Sequence, residues 1–209
     1  MHFLQLVLFT AAVLFKHVHS VTVVVNNVEG YYWREYTGEL PQDAVPGGLD
    51  KHGKTTYIGQ ALHIFPPNGK LIPGKIDADE KKMYYAWNDI KHVVTKNVKI
   101  LCSQNPTNFK WIETDIQNIK SMPQEKFVLG GYDTDYPLYI GRKHTNGEVV
   151  LGKVTIPTPY DAFGYTIGEK AYFVKDTFEV LSYDSNTEST CTPTISKCSP
   201  EKIINIYVR

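Results

Sequence analysis

The sequence predicts an all-β protein: two tandem, pseudo-symmetric repeats of twisted antiparallel sheet packed as one globular body. Composition is the first reason. Fourteen Tyr, nine Phe, fifteen Gly and twelve Pro favour strands and turns over long helices. The second is an internal echo. Gly47-Gly48-Leu49-Asp50, Tyr57-Ile58-Gly59 and Pro73-Gly74-Lys75 return as Gly130-Gly131-Tyr132-Asp133, Tyr139-Ile140-Gly141 and Leu151-Gly152-Lys153. The third is Asn146-Gly147, a dipeptide suited to a two-residue type I′ hairpin turn, which needs positive φ at both positions.

Taken in order, residues 3–15 form an apolar run followed by Val18-His19-Ser20. That reads as a signal peptide over residues 1–20, cleaved after Ser20, and it predicts a secreted, extracellular protein. A short membrane anchor is the alternative, although the run is too short to span a bilayer comfortably, and no other stretch approaches that length. The β-branched residues 21–25 are suited to a strand opening the first repeat, which occupies 21–102.

Within each repeat a tryptophan, Trp33 or Trp111, precedes a proline-led turn, Leu40-Pro41-Gln42-Asp43 or Met122-Pro123-Gln124-Glu125. A diglycine turn then presents an aspartate, and a strand pair carries a Gly-Lys step. Pairing about Asn146-Gly147 sets Gly141 opposite Gly152 and Ile140 opposite Lys153. The same pairing in the first repeat, through the longer Pro66-Pro67-Asn68-Gly69 connection, sets Gly59 opposite Gly74 and Ile58 opposite Lys75. Glycine facing glycine leaves bare backbone, open to a ligand or to another strand. Residues 80–87 alternate too poorly to assign, whereas 93–101 and 172–181 close each repeat as a strand or strand pair. Lys99-Ile100-Leu101-Cys102 answers Glu179-Val180-Leu181-Ser182.

Residues 103–110 form a polar, turn-rich linker, and 111–182 form the second repeat. The Ser/Thr-rich tail 183–209 ends in an apolar stretch, 203–208, suited to a terminal strand. Repeats this small bury too little apolar surface alone, so they are expected to pack on each other. Cys102, Cys191 and Cys198 are the cysteines. The last two are spaced to close a small disulfide loop, leaving Cys102 either as a buried thiol or for an intermolecular bond.

Formal net charge is zero, with no basic stripe, which argues against nucleic-acid binding through phosphate neutralisation. His52, His63, His92 and His144 lack metal-ligand spacing. Asp77-Ala78-Asp79-Glu80 and Asp133-Thr134-Asp135 lack the loop spacing of a calcium cage. No nucleophile elbow or oxyanion motif supports catalysis. The expectation is a non-enzyme that needs neither metal nor cofactor and does not insert into membranes.

These motifs resemble the DM-nine repeat family, small all-β modules of insects and molluscs. The resemblance runs from Trp33 to Leu101 and from Trp111 to Leu181. It departs at Gln60, where the pattern has the arginine kept at Arg142, and at Leu151, where it has proline. A later Gly-x-Glu-like step survives as Gly168-Glu169 and, degraded, as Asn88-Asp89. Some members are mannose-binding lectins that hold sugar with the Gly-Gly-x-Asp aspartate and the Pro-Gly-Lys lysine. Carried over, the resemblance implies ligand residues Asp50 with Lys75 and Asp133 with Lys153, Glu169 being a candidate third acid at the second site.

The implied function is lectin-like recognition of mannose-type glycans on microbial or host surfaces, as in innate immunity. A carboxylate accepts hydroxyl protons and an ammonium donates to the oxygens between them. Each bond replaces one to water, so single-site affinity is expected at about 0.1–1 mM, raised by two sites per chain and by a homodimer. The bland alternative at each pair is a surface ion pair worth at most about 1 kcal/mol, in a structural or protein-interaction module with no sugar ligand. For Trp33, Trp87 and Trp111, core packing stands against stacking on sugar faces.

Overall fold

The computed structural model describes residues 30–184, apart from 66, 67 and 135. The expected signal peptide, the strand at 21–25, the Cys191–Cys198 loop and the strand at 203–208 lie outside the described residues.

Among the described residues, fourteen strands form one continuous antiparallel network, seven from each half. The first half contributes β1 (Tyr31–Glu35), β2 (Pro46–Leu49), β3 (Thr55–Phe65), β4 (Asn68–Asp77), β5 (Lys82–Trp87), β6 (Ile90–Val94) and β7 (Val98–Ser103). The second contributes β8 (Phe109–Thr114), β9 (Leu129–Asp133), β10 (Tyr136–Thr145), β11 (Glu148–Thr155), β12 (Ala162–Ile167), β13 (Lys170–Val174) and β14 (Phe178–Tyr183). Among the described residues, turns and three short 3-10 segments connect them, the latter at Pro106–Asn108, Asn118–Ser121 and Gln124–Lys126. The poorly alternating segment is β5, and each closing segment is two strands that pair elsewhere, β6 with β5 and β7 with β1 and β3, β13 with β12 and β14 with β8 and β10.

The central hairpins have the expected register. Ile58 opposes Lys75 and Gly59 opposes Gly74 on β3 and β4, while Ile140 opposes Lys153 and Gly141 opposes Gly152 on β10 and β11. Asn146 and Gly147 both have positive φ, at 51° and 78°, as a type I′ turn demands. The bare glycines are covered by the protein itself. A Cβ on Gly152 would stand 2.0 Å from the Gly164 carbonyl oxygen of β12, and one on Gly74 would stand 2.3 Å from that of Tyr84 on β5. Of the two uses open to bare backbone, approach of another strand is the one realised at both.

The halves are joined by two equivalent strand contacts. β2 reaches β11, with Leu49 opposite Val149, and β9 reaches β4, with Tyr132 opposite Leu71. Each diglycine motif makes this approach feasible. A Cβ on Gly48 would stand 2.1 Å from the Val149 carbonyl oxygen, and one on Gly131 would stand 2.0 Å from that of Leu71. Gln60 adds a buried bond across the join, its Nε2 donating to the Gly130 carbonyl at 2.6 Å. Arg142, at the equivalent position, instead pairs with Glu179 through two bonds of 2.7 and 2.9 Å and stacks over Trp111.

The core follows this plan. One cluster is built around Ile72, Ile76 and Met83 of the first half and takes in Leu138 of the second, and another lies in the second half around Phe163 and Phe178. A third is shared, with Val45, Ile58 and Leu101 packing on Val128, Ile140, Leu151 and Leu181. Trp33 and Trp111 pack against this shared cluster, in keeping with the core alternative for those two. Cys102 is a buried free thiol, and burial raises its pKa to about 11.

Candidate functional site

Lys153 lies on β11, between Ile140 of β10 and Gly164 of β12. A lysine in mid-strand with neighbours on both sides has little water to reach, and Lys153 is only 6% exposed. Its ammonium has no ion pair or hydrogen bond to any described residue. What it has is aromatic. Its ammonium stands 4.0 Å from the Trp87 ring centroid and 5.7 Å from that of Phe173. Cation–π contact with tryptophan is the strongest of its kind and counts for more away from water. Burial lowers the Lys153 pKa to about 8, with Asp133 pulling it up and Lys70 pushing it further down.

Beside Lys153 opens a cavity of about 780 Å³, walled by Lys70, Trp87, Asp89, Asp133 and Phe173 among others. Asp133 ends β9, and the following Thr134 has a φ of 57°. A β-branched residue in the left-handed region is strained, and here it directly follows Asp133, which pairs across the hairpin with Tyr136 of β10. Lys70 of β4 answers Asp133 at 2.5 Å and lies 4.4 Å above the same Trp87 ring. Two ammoniums therefore share one indole. Trp87 is 7% exposed and belongs to the first core cluster, yet it also forms the cavity floor. Beneath it, His63, Tyr85 and His92 pack ring against ring, with His63 Nδ1 2.9 Å from the Tyr85 hydroxyl. The Nε1 of Trp87 and the Nε2 of His92 are buried without a protein partner.

The structure thus brings Asp133 and Lys153 to one cavity. Asp50 and Lys75 each have another partner. The Asp50 carboxylate accepts the backbone N–H of His52 and of Lys54, each at 2.8 Å, and so fixes its own turn. Burial pushes the Asp50 pKa up, but these two bonds outweigh it and hold the carboxyl below its usual range. Lys75 pairs instead with Glu148 of the other half, at 3.8 Å, both side chains being largely covered.

Glu169 also differs from expectation. It does not reach the second site but pairs with Lys91 at 3.0 Å, where Lys91 lies over Tyr84 and donates to the Gly168 carbonyl. The reason is topological. The β12 and β13 hairpin packs on β5 and β6, so each half's Gly-x-Glu-like turn serves the opposite half. The counterpart of Glu169 is Asp89, which lines the Asp133 and Lys153 cavity. Both Asn88 and Asp89 adopt positive φ, at 48° and 59°, so asparagine replaces glycine there at tolerable strain.

Sequence reading missed Lys70, Asp89 and Glu148 as site residues, and it left Trp87 between core packing and stacking on a sugar face, whereas Trp87 both joins the core and lines the cavity. Asn88-Asp89 was visible as a degraded motif, but nothing in linear spacing says that it crosses to the other repeat. Among the described residues no group of three or more His, Cys, Asp or Glu is placed to hold a metal ion. No described helix is long and apolar enough to cross a membrane.

A family model described as the DM9 repeat matches residues 50–169, more than half the chain. The chain belongs to the DM9 repeat family. The match begins at the first candidate aspartate and ends at Glu169, so all four candidate ligand residues of this DM9 protein fall inside it. No curated protein matches the sequence. Among solved structures, this DM9 chain resembles the nematode sperm cell motility protein MFP2B at 11% identity and a TM-score of 0.49. The likeness covers 82% of this chain and 50% of that one, so this chain spans about half the length of MFP2B.

Proposed function

We propose that this DM9 protein is a secreted, non-catalytic carbohydrate-binding protein that takes mannose-type glycans, without metal, in the cavity between Asp133 and Lys153. One observation carries the reading: a nearly buried ammonium without an anionic partner opens onto a cavity that also presents a carboxylate. An uncompensated buried charge is destabilising, and a polyol oxygen in the cavity would give it the acceptor the protein withholds. Asp133 accepts from hydroxyls, and the partly exposed rings of Phe173 and Tyr136 offer apolar faces to the sugar C–H groups.

Retention on mannan resin, competed by free mannose and unchanged by chelator, tests it. Asp133→Asn and Lys153→Met should each abolish retention, the first with a thermal melt within a few degrees of wild type and the second with a melt no lower than wild type. Retention that survives both substitutions would falsify the assignment of this cavity. Glycan-coated microbial or host surfaces are the corresponding partners, with avidity raised by any homodimer.

At the first pair the structural reading is favoured by a specific observation, since Lys75 is held by Glu148 and Asp50 by its own turn. Asp50→Ala and Lys75→Ala should therefore leave most mannan retention intact and lower the melt instead.

A further inference from the structure

Equivalent positions in the two halves carry opposite charge. Counting four residues back from the paired glycines Gly74 and Gly152 gives Lys70 in one half and Glu148 in the other. Each lies one residue beyond a strand contact between the halves, Leu71 with Tyr132 or Val149 with Leu49. Antiparallel register then sets Lys70 toward Asp133, where the ion pair forms. The same step sets Glu148 toward Asp50, a like charge, and Glu148 turns to Lys75 instead.

The consequence falls on the two repeat lysines. Lys75 has its anion supplied by the protein. Lys153 does not, because Asp133 is engaged by Lys70 and no other described carboxylate comes within ion-pair range of Lys153. The remaining charges around the cavity do not alter this. Asp161 is bound by Lys120 at 2.6 Å and by the Thr158 N–H. Asp89 and Lys175 oppose one another in charge on the cavity wall. The triad Lys70, Asp133 and Lys153 carries net +1, whereas Glu148, Asp50 and Lys75 carry net −1.

We infer that the Lys153 cavity selects a hexose bearing an anionic group, a carboxylate or a phosphate, whose charge pairs with Lys153 while Asp133 accepts from ring hydroxyls. The inference rests on the carbohydrate reading above and adds the ligand's charge. Lys70 is then the specificity-determining residue: by occupying Asp133 it leaves Lys153 for the ligand. A charge-assisted bond to a desolvated ammonium is stronger than a neutral one, so an acidic sugar should outbind its neutral parent by about tenfold or more.

Titration calorimetry of the intact protein with mannose, mannose 6-phosphate, mannuronate and inorganic phosphate tests it, the two acidic sugars separating phosphate from carboxylate as the source of charge. At least one should bind about tenfold or more tighter than mannose, and the advantage should shrink with added salt. It should vanish in Lys153→Gln and persist in Lys75→Gln, a variant altered at the other site. Equal affinity for mannose and both acidic sugars would overturn this inference and leave the carbohydrate reading standing. An acidic advantage that persists in Lys153→Gln would overturn it as well. Binding of inorganic phosphate as tight as that of the sugar phosphate, with none for mannose, would overturn both. If Lys153→Gln unfolds, amide chemical shifts of Asp89 and Thr134 in the wild-type protein locate the ligand, and perturbation confined elsewhere overturns the assignment.

Discussion

Lys153 is held at a loss to stability, and the size of that loss can be set against what offsets it. Lowering an ammonium from 10.5 to about 8 corresponds to about 3 kcal/mol of penalty on the charged form at neutral pH. The indole contact offsets part of what burial would otherwise cost the ammonium. A Lys153→Met protein, which keeps the side-chain length and removes the charge, should therefore be more stable than wild type by up to about 3 kcal/mol and melt several degrees higher. The pH dependence has a definite sign. Below pH 8 both folded and unfolded chains hold the proton and the penalty is complete. Between pH 8 and 10.5 the unfolded chain binds more protons, so wild-type stability rises with pH and approaches that of Lys153→Met. Ligand binding through the ammonium should move the opposite way, fading as pH passes about 8. Chemical denaturation of both proteins across this range, alongside mannan retention, checks each half of the statement. A substitution that improves folding while removing binding would mark Lys153 as retained for its ligand.

Strand by strand, the motifs visible in the sequence divide by what they need. The β3/β4 and β10/β11 registers were legible because they depend on turn chemistry and a local Gly-Gly pairing. The partners of the Asp50 and Lys75 pair were not. Glu148 and Lys75 are 73 residues apart in sequence, and they meet only because β2 joins β11 and β9 joins β4. A repeat also invites the reading that each copy is self-contained, which placed Glu169 in the wrong cavity. The glycines permit a sharp test of the inter-half contacts. Gly131→Ala would drive a methyl into the Leu71 carbonyl, and a backbone obstacle cannot swing aside. It should cost about 2–4 kcal/mol and loosen the cavity through the adjoining Asp133. Gly147→Ala meets nothing within 4 Å but sits at φ 78°, so it should cost only about 1–2 kcal/mol and leave ligand binding unchanged. Urea denaturation of the two variants, with mannan retention measured in parallel, separates steric from conformational expense.

At the level of the whole molecule, the shared core cluster makes the halves interdependent. Ile58 and Leu101 are fully buried against residues that belong to the second half, and Ile140 and Leu181 against residues of the first. A polypeptide limited to residues 30–104 should leave that surface open and show no cooperative melt. The complementary 105–184 piece should behave alike, and mixing the two should restore near-ultraviolet circular dichroism and one transition. An independent melt for either piece would contradict the shared core. The expectation that small repeats pack on one another was legible from length alone. Which strands they would use was not, because it rests on where two glycine pairs let backbones touch.

The exchanged turns carry a consequence for how such a chain diverges. Asp89 and Trp87 are inherited with the front of the chain but shape the opening that holds Asp133 and Lys153. A mutation confined to one copy therefore retunes the recess whose name-giving aspartate and lysine belong to its twin, and neither copy can specialise in isolation.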